Sequence, residues 1–481
     1  MLLPHLKYLI FICLCYCCIA KVDAQSTVPS ISSLMKSSTE KSKIKHYLIS
    51  GNKRTKDFVI ARELGIEGDS LPVSNIAATL ERIKINLMNT KLFNAVQVNI
   101  KNWDEEGLDL DIQVVEKWYI IPIPIFQLAD RNVNEWWVDG KRDFRRLQYG
   151  MAVNWRNFRG RNETMNISAS LGFAQLLGVD YLLPKLSKNG KVGASFNLHM
   201  MRSKRMPYET SRDKLKFIFE DKVVTRSIDF SSRVIVHRNI DFQQYVEAGF
   251  SHRWIDTSIT RLNPDYFLEN RQVQNAFSLE YGFDVDKRVL KAYPTSGYQV
   301  SGNIVNYGLG LQRNVNLTTL SISGSKFFTL DKSGRHSTGH YLKLKASFPS
   351  NQPYNLQKGL GYGQDLVRGY EYFVVDGQSY ALFKNEYRYH LAALKLGNNP
   401  RKNKPLLRQS LPFDFYVKAF LDVGYVKDRF FAQDNTLQNQ FLIGGGVGID
   451  MLLMYDALLR FEGSINRNKK VGFYIHFGLP F

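Results

Sequence analysis

Between Thr164 and Phe173 the chain reads TMNISASLGF, and its side chains alternate without a break. Met165, Ile167, Ala169, Leu171 and Phe173 stand against Thr164, Asn166, Ser168, Ser170 and Gly172. The period recurs in FSLEYGFDV, where Phe277, Leu279, Tyr281, Phe283 and Val285 are interleaved with Ser278, Glu280, Gly282 and Asp284. Successive side chains of a strand point to opposite faces, so a period of two gives one apolar and one polar face. A soluble sandwich would more often set small polar residues, rather than Glu280 and Asp284, opposite so many aromatics. Charges between large apolar residues suit a sheet with lipid outside and a wet lumen inside. Beyond the N-terminal segment no apolar run reaches the roughly 18 residues a membrane helix needs. A closed β-barrel can still cross, because every backbone group is satisfied between strands.

Composition agrees with strands. Aromatics make up 13% of the 481 residues, with 31 Phe, 25 Tyr and 34 Gly, a mix that favours sheets and close backbone approach over helical bundles. The chain closes on VGFYIHFGLPF, again alternating, with Phe481 as its last residue. Residues 1–24 read as a secretory signal: Lys7, the apolar YLIFICLCYCCIA, and VDA before Gln25 as a cleavage site. All four cysteines (Cys13, Cys15, Cys17 and Cys18) fall inside it, so the mature chain is expected to carry neither disulfides nor thiolate metal sites. Tyr16 precedes Cys17 where lipidation wants a small residue. Residues 25–43, rich in Ser and Lys, read as a flexible leader.

From Ile44 the pattern predicts a small α+β domain over 44–117 in the order β-α-α-β-β. IKHYLIS is strand-like, GNKRT turns with Thr55 as a candidate helix cap, and KDFVIAREL is helical up to Gly65. Ile76, Leu80, Ile83 and Leu87 fall on one face of a second helix. Two alternating strands follow, around Phe93–Ile100 and Leu108–Val114. Four features of this stretch resemble a POTRA domain, the periplasmic module of outer-membrane assembly and transport barrels. They are Gly51-Asn52, Arg62-Glu63-Leu64, Leu92-Phe93 and Val115-Glu116-Lys117. Residues 118–481 are expected to form a transmembrane antiparallel barrel of about sixteen strands, the even number a closed bacterial barrel requires. The ranges are 118–128, 147–156, 163–173, 175–184, 190–202, 225–237, 242–254 and 274–286, then 294–307, 315–330, 338–349, 379–391, 413–426, 438–452, 454–465 and 471–481. The polar connections 203–224 and 350–378 are expected as extracellular loops or lumen plugs.

Within the second of these lies GLGYGQDLVRGYEYFVVDG. Its Val367, Arg368, Gly369 and Tyr370 resemble the VRGY motif of the BamA/TamA and two-partner-secretion families, carried on a loop folded back into the barrel. An arginine there cannot shed its charge and needs lumenal carboxylates. AFLDVGYV resembles the family's Phe-x-Asp-x-Gly strand. Leu421, Val423 and Tyr425 on its lipid side would leave Asp422 lumenal and the first candidate partner of Arg368. Glu386, which shares a face with Lys384 and Arg388, is the second. The alternative is a solvated loop arginine.

The first barrel strand carries Pro122 and Pro124, which belong on a strand edge. In a closed barrel that strand meets the last, with Phe473, Phe477 and Phe481, so a weakened seam is expected there. Relatives use such a seam as a lateral gate for client strands. Alternatively, the prolines only stiffen the link from the small domain.

No catalytic, nucleotide-binding or metal-ligand spacing is found, so neither enzyme activity nor a metal or cofactor is expected. The net charge of +20 is scattered, which points away from nucleic acid and toward anionic lipid headgroups or a cationic lumen. The resemblance implies an outer-membrane protein of the BamA/TamA type that inserts or translocates polypeptides. Unfolded outer-membrane or exported chains would be its clients, with membrane lipid and accessory lipoproteins as further partners. A single POTRA domain implies a specialised rather than a central member. A passive pore or solute transporter is the rival reading, and a lipid-modifying enzyme is a third.

Overall fold

The computed structural model describes residues 41–64, 70–72, 76–104, 106–128, 144, 147–187, 190–311, 315–396, 411–430, 434–453 and 458–477. The signal and leader up to residue 40, Gly65 and Phe481 lie outside them.

The N-terminal domain packs two helices on a four-stranded sheet. Its elements are β1 (Lys41–Ser50), α1 (Asp57–Glu63), β2 (Ser70–Pro72), α2 (Ile76–Asn89), β3 (Phe93–Asp104) and β4 (Gly107–Glu116). The sheet order is β2-β1-β4-β3, with β1 and β4 parallel. Ile83 and Leu87 of α2, Val59 and Ile60 of α1, and Leu108, Leu110 and Ile112 of β4 bury together as its core. Three expectations are corrected. The first strand begins at Lys41, inside the stretch read as leader, because Lys41–Lys43 pair with β2. That short β2 makes the order β-α-β-α-β-β. Lys56, not Thr55, occupies the N-cap of α1, without a side-chain cap bond. Thr55 instead turns inward: its backbone N–H and its hydroxyl both donate to Glu116 at 2.6 Å.

Sixteen antiparallel strands form the second sheet. They are β5 (Ile120–Leu128), β6 (Leu147–Phe158), β7 (Glu163–Gly172), β8 (Ala174–Leu183), β9 (Val192–Ser203), β12 (Thr225–His237), β13 (Phe242–Ile255) and β14 (Val273–Asp286). The series continues with β15 (Gly297–Tyr307), β16 (Leu317–Thr329), β17 (His336–Phe348), β18 (Ser379–Leu396), β19 (Leu411–Lys427), β20 (Phe441–Leu452), β21 (Leu458–Asn466) and β22 (Val471–Phe477). Neighbours in sequence are neighbours in space, β5 and β22 lying at the two ends of the order. The register aligns the alternation laterally. Val234, Val246, Tyr281, Ile304, Leu320 and Ala346 form one outward row. One position along, Arg233, Glu247, Glu280, Val305, Thr319 and Ser347 form the inward row. Arg233 Nε meets Glu247 at 2.6 Å, and Tyr245 and Asn303 donate to Glu280, so the opposed carboxylates are both engaged.

Contacts across the interior show the sheet rolled into a barrel. Between β9 and β12 a hairpin stands up, β10 (Arg205–Ser211) with β11 (Lys214–Phe219), a pair not foreseen within the expected loop 203–224. Its tip reaches the β19–β20 connection, half the sheet away. There Thr436 N and Leu437 N donate to Asp213 at 2.9 and 3.0 Å, and Asp213 N donates to Asn435 Oδ1 at 2.8 Å. A short helix, α3 (Thr257–Leu262), is capped by Asp256, whose carboxylate accepts from Ser258 N. At the opposite end, the β14–β15 turn folds inward. Tyr293 is buried there and donates to Asp450 of β20 at 2.8 Å.

The N-terminal domain docks on that same end. Asn157 Nδ2 donates to Thr55 Oγ1 at 2.8 Å, Lys56 N donates to Gly160 O at 3.0 Å, and Lys185 Nζ meets Glu63 at 2.6 Å. Gly160 has φ +75° and sits where a Cβ would come within 2.2 Å of Arg54 O. Tyr119, buried against Thr55, has its phenol pushed above the ordinary range, chiefly by burial.

Candidate functional site

The segment between β17 and β18 turns back into the barrel, where its apolar side chains bury. Leu360, Val367, Tyr370 and Val375 pack with Leu382, Val426 and Leu442 from β18, β19 and β20. This places Arg368 inside, only 3% exposed. Its guanidinium grips Asp422 in a two-pronged contact, Nε to Oδ2 at 2.8 Å and Nη2 to Oδ1 at 2.7 Å. The Arg368 backbone N–H donates to the same carboxylate at 3.1 Å. Nη1 reaches Glu386 Oε2 at 3.0 Å and Glu462 Oε1 at 3.5 Å, and the guanidinium lies 4.0 Å from the Phe420 ring centroid. The arginine fork suits this task, since it can meet two carboxylates at once in fixed geometry.

The tip is shaped by glycine on both sides. Gly369 has φ +96°, a conformation that favours glycine. Its carbonyl accepts from Asn466 Nδ2 at 2.7 Å, and its N–H donates to Glu371 at 2.8 Å. Opposite, a Cβ at Gly444 would stand 1.9 Å from Arg368 O. Gly444 of β20 is thus a flat seat for the loop.

Around this contact lies further buried charge that the alternation of single strands does not reveal. Lys418 Nζ lies 2.7 Å from both Asp450 and Glu462. Glu462 Oε2 is 3.2 Å from His476 Nε2 on β22. Arg388 donates to Glu386 at 2.5 Å and to Pro294 O at 2.8 Å, and it lies over the Tyr293 ring at 4.4 Å. Glu386 therefore joins the inner-loop arginine to the arginine that holds the inward β14–β15 turn. The signal was available in LLRFEGSIN, whose alternation sets Arg460, Glu462 and Ser464 on one face. What alternation cannot give is which strands lie within reach.

The two ends of the sheet carry the remaining expected residues. Pro122 and Pro124 pair in register with Val153 and Met151 of β6. Arg156 N donates to Tyr119 O, one residue before the regular ladder begins. Alternation of hydrogen-bonding direction then turns the odd residues of β5 toward β6 and the even ones toward the free edge. Both prolines fall on even positions, so two donors are absent from the edge that looks toward β22. Among the described residues no ladder joins β5 to β22. Phe473 is exposed on the outer face and stacks on Phe461, while Phe477 closes β22.

A small α+β domain docked beneath a sixteen-stranded antiparallel barrel, with an arginine loop fixed inside, defines an outer-membrane barrel of the POTRA-bearing class. Comparison with family models agrees: residues 157–481 match the Omp85 superfamily domain, and residues 42–117 match the POTRA model described as surface antigen variable number repeat. The chain belongs to the Omp85 superfamily, and its layout is of the BamA/TamA type. Among solved structures it is similar to BamA from Haemophilus ducreyi lacking POTRA domains 1–3, at 13% identity and a TM-score of 0.50, covering 91% of this chain and 83% of that one. It is also similar to CdiB from Escherichia coli, at 13% identity and a TM-score of 0.52, covering 91% and 75%. At such identity the likeness concerns the fold. Comparison with curated protein sequences gave no match.

Proposed function

We propose that this protein inserts or translocates other polypeptides at the outer membrane, with the edges of β5 and β22 as a lateral gate. The POTRA domain stands in the periplasm and receives unfolded chains by strand addition, a form of β-augmentation. The barrel seam then templates or releases them, while Arg368 holds the inner loop in position. The observation that carries this reading is the pair of prolines on the edge of β5 that looks toward β22. A seam lacking two donors is easier to part, and a client strand can still use the carbonyls it finds there.

A disulfide across the seam tests the gate directly. The mature sequence supplies no competing thiol, since the four cysteines all lie within residues 13–18. Ile120→Cys with Ile475→Cys, both on the outer face, oxidised, should abolish assembly of clients, and reduction should restore it. Full activity of the locked barrel would exclude the gate. The broader reading is tested by depleting the protein and taking inventory of the outer membrane. Loss of particular barrels or surface proteins is expected; unchanged protein content with altered solute uptake would favour a passive pore instead. Arg368→Ala should impair function in a barrel that still folds.

A further inference from the structure

On the outer face, at the end remote from the POTRA domain, one lateral row runs Gln175, Arg202, Arg226 and Trp254, each opposite the next on β8, β9, β12 and β13. The row faces outward, because Leu177, Met200 and Ile228, two residues along the same strands, are exposed apolar side chains. Arg202 and Arg226 are therefore like charges set directly opposite each other, which is destabilising when nothing lies between them. Each is steadied from its far flank. Arg202 Nε donates to Gln175 Oε1 at 2.6 Å, and the Arg226 guanidinium lies 5.1 Å from the Trp254 ring centroid. Both arginines are exposed, and among the described residues neither has an acidic partner.

The same two arginines border a groove. Tyr149, Leu171, Leu177, Met200 and Ile228 line it with Ala169, and its volume is about 700 Å³. The groove exists where the small side chain of Ala169 separates Met151 from Leu177. Its size falls within the roughly 300–1,000 Å³ typical of small-molecule clefts, and its lining is mostly apolar.

We propose that this is a binding site for a phosphate-bearing anionic lipid of the external leaflet. The phosphate sits between Arg202 and Arg226, and an acyl chain lies in the groove toward the membrane midplane. Two guanidinium forks match phosphate oxygens, and the anion relieves the repulsion between them. The apolar groove continues directly from the arginines, which selects a lipid over a free phosphate. The site rests on the outer-membrane placement of the barrel, with the POTRA domain on the periplasmic side, and requires no client.

The test uses the full chain purified in a nonionic detergent and read by native mass spectrometry. Dioleoyl phosphatidic acid should bind about tenfold or more tightly than dioleoyl phosphatidylcholine, as expected when two arginines act near a headgroup. Arg202→Gln with Arg226→Gln should remove that preference, and Arg202→Lys with Arg226→Lys should keep most of it. Ala169→Phe, which fills the groove without touching the charges, should weaken both lipids. Equal binding of the two lipids, an unchanged preference in the glutamine variant, or displacement of phosphatidic acid by millimolar inorganic phosphate would each overturn the site. These readings involve no assembly activity. Loss of the lipid site would leave the proposed function standing, and a failed depletion experiment would leave the lipid result intact.

Discussion

Arg368 shows why a buried charge in this fold is both stable and demanding. Removing it leaves Asp422, Glu386 and Glu462 close together without their shared cation, and breaking such a buried set costs about 3–5 kcal/mol. Arg368→Lys is the more telling change. It keeps the charge but cannot meet Asp422 with two nitrogens while reaching Glu386, so the inner loop should become protease-sensitive while the barrel still migrates as folded. A second residue links the same loop to pH. Asp376 accepts from Tyr362 OH at 2.5 Å, and burial pushes its carboxyl up to about 6 from the ordinary 3.8. A raised acid pKa means the charged form is disfavoured in the folded loop. The loop is thus least stable above about 6 and gains stability as pH falls toward 4. The protection factors of residues 360–376 in hydrogen exchange should rise between pH 7 and 5, and Asp376→Asn should flatten that dependence.

At the scale of elements, β20 decides whether the loop has a place to sit. Gly444→Ala puts a methyl group onto Arg368 O, so the inner loop should lift from the wall; loss of a cross-link between cysteines placed at Val367 and Gly424 would register it. The strands were legible from alternation alone, and the register aligns their apolar rows as the period of two requires. The β10–β11 hairpin was not, because Lys, Glu and Arg break up its apolar residues and its pairing closes over the barrel rather than within the wall. The inward β14–β15 turn was illegible for a related reason. Tyr293 is an ordinary turn aromatic until Arg388 and Asp450 arrive from distant strands. Arg368 and Asp422 came from motif and parity together, whereas Lys418 and Glu462 meet across Gly448 of the intervening β20, a register that alternation alone does not fix.

For the molecule as a whole, the junction between the domains sets how the POTRA domain is carried. Glu116 collects Arg54 N, Thr55 N and the Thr55 hydroxyl, and Thr55 in turn meets Tyr119 and Asn157. Glu116→Ala orphans those donors at a buried joint, a change worth about 1–3 kcal/mol. Spin labels on α2 and on the β8–β9 turn should report a broader distance distribution in that variant. The domain's anchors, Asn157 at the end of β6, Gly160 on the β6–β7 turn and Lys185 on the β8–β9 turn, all stand close to one end of the sheet. The inner loop's anchors, Asp422, Glu386, Glu462 and Asn466, all stand on β18, β19 and β21, close to the other. Between the two groups the β10–β11 hairpin ties β9 and β12 across the mouth to the β19–β20 connection. The wall thus carries the two sets of anchors near its opposite edges, with a cross-brace between them. If the seam parts, the β5 edge carries the POTRA domain with it while the β22 edge stays keyed to the arginine loop. The angle between domain and loop then becomes the opening coordinate, a quantity readable from outside the wall.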